Sequence, residues 1–229
     1  MAGMSLATTA FAKAAIGSTE IQKISIGSTE IWSAIVSAYD ASANGGGAAN
    51  TISSFSITAA AGADVFVAAS WDRDSATGVT SVTCGGTPMT QIASVNHSGT
   101  ASYGPLRLYR LAGAGTGSSL TISASVSGIA YYTASAISFT DVRSTLSPTT
   151  SVGNSNTASQ TVTLTGGVGL FAVSASTSPT NYTSFSGMTA RTTISSLQTR
   201  LVMGTVSASG TVSATSTGTN RWASIFVPL

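Results

Sequence analysis

The stretch Leu106-Arg107-Leu108-Tyr109-Arg110-Leu111 alternates apolar with charged or polar side chains, and Leu120-Thr121-Ile122-Ser123-Ala124-Ser125-Val126 repeats the alternation with hydroxyls in the polar places. Successive side chains of a strand point to opposite faces, whereas a helix needs apolar residues three or four apart, so both stretches predict half-buried β-strands. Further β-prone segments lie on either side, bounded by turn residues: 52–58, 64–70, 79–84 and 88–95 before them, and 130–139, 161–164, 168–175, 186–194, 200–207, 211–215 and 222–227 after. No segment beyond residue 50 sustains a 3.6-residue apolar period. Regularly spaced short strands with turn signals between them predict an all-β fold, an antiparallel β-sandwich of jelly-roll kind, with other Greek-key windings as the alternative.

The 229 residues are enough to bury a substantial core. Only 7% are charged, against roughly 25% in an average soluble protein, while about a third are Ser or Thr. The surface must therefore be built largely of hydroxyls. Nine Lys and Arg against seven Asp and Glu leave a net charge of +2, too dilute to form the basic stripe that nucleic acid requires. One cysteine, Cys84, and one histidine, His97, exclude an intrachain disulfide and a Cys/His zinc cage. No apolar run approaches the 18 or more residues of a membrane helix, and the aromatic girdles of a membrane barrel are not found. The N-terminal stretch 1–15 has neither a basic leader nor a continuous apolar run, so no secretory signal is expected.

Ile16-Gly17-Ser18-Thr19-Glu20-Ile21 recurs as Ile26-Gly27-Ser28-Thr29-Glu30-Ile31. Each copy places Gly-Ser between short β-prone segments, which predicts two small hairpins with Gly17 and Gly27 in the turns. Residues 1–36 then form a β-hairpin arm. Its apolar load, Ile24, Ile26, Ile31 and Trp32 above all, exceeds what an isolated hairpin can hide and marks these four as candidate assembly contacts. Residues 37–50, with Gly45-Gly46-Gly47 and no periodicity, read as a Gly/Ala-rich linker, leaving 51–229 as the β-sandwich domain. Only two lysines, Lys13 and Lys23, are present to guard sheet edges, so neighbours are expected to cover them.

Catalytic chemistry is hard to assemble from this inventory. His97, in a polar Gly-containing stretch, reads as a loop histidine, and Cys84, before Gly85-Gly86, as a small apolar residue at a strand end. Trp71-Asp72-Arg73-Asp74 is the densest charge cluster, but Arg73 between the carboxylates favours local ion pairing over a cation site. No phosphate-cradling glycine motif precedes a helix. Catalytic residues, metal and cofactor are therefore all expected to be none. Tyr103, Tyr131, Tyr132 and Tyr182 are the candidates for stacking on a sugar ring, although alternation must bury one of Tyr131 and Tyr132.

Val79-Thr-Ser-Val-Thr-Cys-Gly-Gly-Thr-Pro-Met-Thr-Gln-Ile-Ala93 resembles a strand, Gly-Gly turn, strand hairpin of β-sandwich proteins in tailed bacteriophages. The order of Leu106–Leu111, Leu120-Thr-Ile-Ser-Ala-Ser-Val126 and Ala136-Ile-Ser-Phe-Thr-Asp-Val142 looks like the rest of that pattern, over residues 50 to 180. Lys23-Ile-Ser-Ile-Gly-Ser-Thr-Glu-Ile-Trp-Ser33 is similar to segments of minor tail proteins from phages that infect actinobacteria, where such a hairpin precedes a sandwich. The resemblance implies a non-enzymatic structural component of the virion, with a minor tail protein as the first reading and a capsid decoration protein cementing the phage head as the second. The partners implied are other tail or capsid proteins, a homotrimer by likeness to tail fibres, and a host-surface glycan; no nucleic acid and no membrane span are expected. A free carbohydrate-binding module is the alternative of a different class.

Overall fold

The computed structural model describes residues 36–73, 78–128, 130–164, 167–176 and 179–229, together with the backbone of four short strands between 14 and 33. It divides into two units, Met1–Val36 and Ser37–Leu229.

In the first unit, β1 (Ala14–Ile16) pairs antiparallel with β2 (Thr19–Ile21), and β3 (Lys23–Ile26) with β4 (Thr29–Ser33). The isoleucine before each Gly-Ser sits opposite the threonine after it, Ile16 with Thr19 and Ile26 with Thr29. That register leaves two residues to connect the strands, the spacing of the shortest hairpin loops. The copies diverge beyond it. Ala14 lies opposite Ile21, whereas Ile24 lies opposite Trp32, with a register shift between Ile24 and Ser25. Ile24, Ile26, Ile31 and Trp32 thus all lie on the second hairpin; their side chains, and the glycines expected in the turns, fall outside the described residues.

The second unit begins with β5 (Ala38–Ala49), β6 (Phe55–Thr58), β7 (Asp64–Trp71), β8 (Gly78–Cys84), β9 (Thr87–Pro88), β10 (Thr90–Asn96), β11 (Pro105–Leu111), β12 (Ser119–Ser127) and β13 (Tyr131–Thr140). A sheet ordered β10-β11-β7-β13-β5 faces another ordered β6-β12-β8-β9. Strand β5 pairs with β13, β6 with β12, β7 with β11 and β8 with β9, all antiparallel. These four pairs are one long ribbon rolled so that its pairs alternate between sheets, which is jelly-roll winding, with β10 added beside β11.

Two expectations about organisation are corrected. Residues 37–50 are not a linker, because Ala38–Ala49 is a strand of the roll itself. Its glycines serve close approach and not flexibility: a Cβ on Gly45 would lie 2.2 Å from the Ala134 carbonyl oxygen and 2.6 Å from the Phe55 ring. Nor is 51–229 a single sandwich. The roll ends at Thr140, and the chain then adds β14 (Thr149–Val162), β15 (Gly169–Ser176), β16 (Tyr182–Ser186), β17 (Thr189–Ser195), β18 (Thr199–Val206) and β19 (Gly210–Pro228). These form a third sheet, β14-β19-β15-β18-β17, with β16 also paired to β19.

Three apolar cores separate the layers. Val65, Val67, Ala69 and Trp71 of β7 meet Val79, Val82 and Ile122 of the first outer sheet. The alternate residues Phe66 and Ala68 join Leu106, Leu108, Ile137 and Phe139 against Leu170, Ala172, Leu201 and Ile225 of the third sheet. The far face of that third sheet, Phe171, Val173, Val202 and Phe226, is covered by its own bent-over end through Ala158, Val162, Val212 and Ala214. Strands β7 and β15 are consequently buried at every position. Each large side chain so enclosed contributes about 1.5–3 kcal/mol of transfer free energy.

Candidate functional site

His97 is fully buried, not a surface loop residue. It opens the 3₁₀ turn His97–Gly99, which with the turn Ala101–Tyr103 connects β10 to β11. Its Nδ1 lies 2.6 Å from the Gly104 carbonyl oxygen and 3.0 Å from that of Tyr103. A carbonyl only accepts, so Nδ1 carries the proton and Nε2 is left to accept from Ser174 Oγ at 2.7 Å and from Ser70 Oγ at 3.4 Å. Burial lowers the His97 pKa to about 4, against the opposing pull of the Gly104 and Tyr103 carbonyls, so the ring is neutral at pH 7. A serine within hydrogen-bonding reach of a histidine is the shape of an activated nucleophile. Here both residues are sealed at 0% exposure, and the orienting groups are backbone carbonyls, so the pair fastens the 97–104 segment to β15 without offering a surface to a substrate.

Three of the carboxylates, those of Asp40, Asp64 and Asp72, each hold a backbone N–H. Asp40 accepts from the Ala60 N–H at 2.8 Å and from Ser138 Oγ at 2.7 Å. Asp64 accepts from the Gly113 N–H at 2.8 Å and pairs with Arg110 at 2.6 Å. Asp72 accepts from the Tyr131 N–H at 2.7 Å. Asp74 lies outside the described residues. Among the described residues, no three His, Cys, Asp or Glu side chains come together in a way that would hold a metal ion. Cys84 is buried, and burial pushes its thiol up. No helix among the described residues is long and apolar enough to cross a membrane.

The four candidate tyrosines do not make a stacking platform. Tyr132 is fully enclosed against Trp71, as alternation required of one member of its pair. Tyr182 is 6% exposed in the third core, where burial pushes its phenol up and its hydroxyl has no hydrogen-bond partner among the described residues. Tyr103 and Tyr131 are half-buried. One face of Tyr103 is taken by the Arg221 guanidinium, 4.3 Å from the ring centroid.

A cleft of about 350 Å³ lies elsewhere, in the fold of the third sheet. Strand β14 doubles back on itself: Gln160 Nε2 donates to Thr149 Oγ1 at 2.9 Å and Ser151 Oγ to the Ser159 carbonyl at 3.3 Å, although an unbent strand would hold Thr149 and Gln160 more than about 30 Å apart. The ladder shifts register between Ser155 and Thr157, where Ser155 Oγ accepts from Trp222 Nε1 at 3.0 Å and donates to the Thr157 carbonyl at 2.7 Å. On β19 the matching bend is tied by Asn220, whose amide donates to Ser216 Oγ and the Thr180 carbonyl. The two limbs leave a mouth between them, with Phe226 and Pro228 among its walls and hydroxyls along both sides. These residues carry no mark in the sequence, because Ser and Thr are abundant throughout and nothing local distinguishes a strand that will fold over.

Compared with known protein families, with curated proteins and with solved structures, the chain matches none.

Proposed function

We propose that this chain is a non-enzymatic structural component of a tailed-phage virion, a minor tail protein that attaches through residues 1–36 and displays residues 37–229. The observation that carries the reading is the division of the chain into a unit of duplicated hairpins and a separate stack with three cores of its own. Two isolated hairpins are marginal in water and gain most by docking to another surface, whereas the stack needs no partner to bury its apolar residues. Jelly-roll winding is frequent in capsid and lectin domains, which agrees with a display role. The hairpin segments that resemble phage tail proteins supply the choice of tail over head. The histidine that an acid–base mechanism would have needed is spent inside the fold.

Immunogold electron microscopy of virions, with antibody raised against residues 37–229, tests the reading. Label on the tail is expected. Label on the head would reassign the protein as capsid decoration, and unlabelled virions would remove it from the particle altogether. A homotrimer on the particle belongs to the same proposal, and native mass measurement of tail subassemblies checks it.

A further inference from the structure

We infer that the cleft between the two limbs of β14 and β19 is a binding site for a neutral saccharide. Its volume, about 350 Å³, falls within the roughly 300–1,000 Å³ of small-molecule sites. None of the residues lining it is charged, which disfavours phosphates, nucleotides and acidic sugars, whose charge would be desolvated there without a partner. The hydroxyls of Ser147, Thr150, Thr161 and Thr163 line it and make no side-chain hydrogen bond to any described residue. A hydroxyl both donates and accepts, so this array suits a ligand whose own groups do both, as sugar hydroxyls do. Half-buried Pro228 supplies apolar wall for the C–H face of a ring, and Phe226, enclosed in the third core, backs the cleft from behind.

The site is held in shape before any ligand arrives. Gln160, nearly buried, is fixed from both ends: its Nε2 donates to Thr149 Oγ1 and its Oε1 accepts from Ser224 Oγ, each at 2.9 Å. These bonds lock the limbs at a set separation, so little ordering is left to oppose binding. Placement also matters. Thr149, Thr150 and Thr161 belong to β14, the edge strand of its sheet, and all three are exposed. This site stands whether or not the chain is a virion protein.

The full-length protein is probed on an array carrying neutral and acidic glycans, and by amide NMR titration with maltose, cellobiose and lactose up to tens of millimolar. Retention of neutral glycans is expected, with shifts concentrated in 147–151 and 160–163. Thr161→Trp, which fills the cleft, should weaken binding at least roughly tenfold, and Tyr103→Ala should leave it unchanged. The milder pair Thr150→Ala with Thr161→Ala removes two exposed hydroxyls and should weaken binding in the same direction, which keeps the test decisive if the tryptophan disturbs folding. Silence on the array together with no shift in the titration overturns the assignment. So does a response confined to anionic glycans, binding lost in Tyr103→Ala but kept in Thr161→Trp, or the same shifts from an extended Ser/Thr peptide.

Discussion

His97 Nε2 lies 2.7 Å from Ser174 Oγ, and this contact fastens the turn between β10 and β11 to β15 of the third sheet. The ring is neutral, with its proton on Nδ1, and nothing around it favours the charged form strongly enough to offset burial. Gly104, whose carbonyl oxygen accepts the Nδ1–H hydrogen bond, has φ +73° and passes so close to β7 that a Cβ would lie 2.0 Å from the Trp71 carbonyl oxygen. The turn, the histidine and β15 are therefore fitted to one another.

Acid should weaken the fold through His97. Its folded pKa, about 4, lies below the unfolded value of about 6.5, so between those values the unfolded chain binds the extra proton. The stability from the neutral ring is complete above pH 6.5 and is lost as pH falls towards 4, on the order of 3 kcal/mol in all. Urea unfolding midpoints across pH 4 to 7 check this. His97→Gln, which cannot titrate, should be less stable at pH 7 but should show a flatter pH profile; parallel profiles would mean that the histidine does not carry the effect.

Gly45→Ala should destabilise the second unit by about 3 kcal/mol, the upper end of overpacking costs, since the added methyl meets backbone at 2.2 Å and not the end of a flexible side chain. Thermal unfolding of the purified variant reads it. A linker glycine would tolerate the change, so an unaltered midpoint would restore the linker reading of 37–50.

Tyr182→Phe should be neutral or stabilising by up to about 1 kcal/mol. The hydroxyl it removes is buried without a partner, so its deletion relieves a desolvated polar group while the ring still fills the third core. The same substitution should leave any glycan binding untouched. A loss of binding in the folded variant would return Tyr182 to the contact surface.

Breaking the Arg110–Asp64 pair should cost about 2–4 kcal/mol in either single alanine variant, because each leaves a largely buried charge behind. Arg110 also donates to the Arg143 and Ser144 carbonyls, 2.8 and 3.1 Å away, on the segment leading from the roll to β14. Arg110→Ala should therefore raise hydrogen exchange in 141–148 more than Asp64→Ala does, and equal protection would refute that role.

Part of the roll was legible because β12 of its outer sheet alternates over its first half. In β12, Ile122 is buried while Thr121 and Ser125 face out, as the pattern 120–126 required. The inner strands defeat the same rule. Arg107 lies 4.7 Å from the Trp71 ring centroid and Arg110 pairs with Asp64, so both faces of β11 carry structure and its charged positions do not mark a solvent side. The three glycines of β5 looked like a flexible connector because close backbone packing and flexibility select the same residue. Segments 211–215 and 222–227 are one strand, bent where Ser216, Gly218 and Asn220 exchange hydrogen bonds across the gap. That bend makes the cleft, and it depends on Thr180, far away in the chain. His97 reads as a loop residue for a similar reason: its local sequence is polar, and its partner Ser174 comes from β15, far along the chain.

The division of labour between the two units is tested most directly by particle incorporation. Each of Ile24, Ile26, Ile31 and Trp32 can contribute roughly 1.5–3 kcal/mol on burial against a partner, before ordering costs, whereas an ion pair made by Lys13 or Lys23 at an exposed surface would contribute about 0–1 kcal/mol. Full-length protein, a chain comprising residues 37–229, and Lys13→Ala with Lys23→Ala are each supplied to assembling virions lacking the native protein, and copies per purified particle are counted by quantitative mass spectrometry. The arm assignment predicts near-normal incorporation of the double lysine variant and near-complete loss for 37–229, with the latter still folded in solution. Incorporation of 37–229 at the full-length level would place attachment in the β-stack and contradict it.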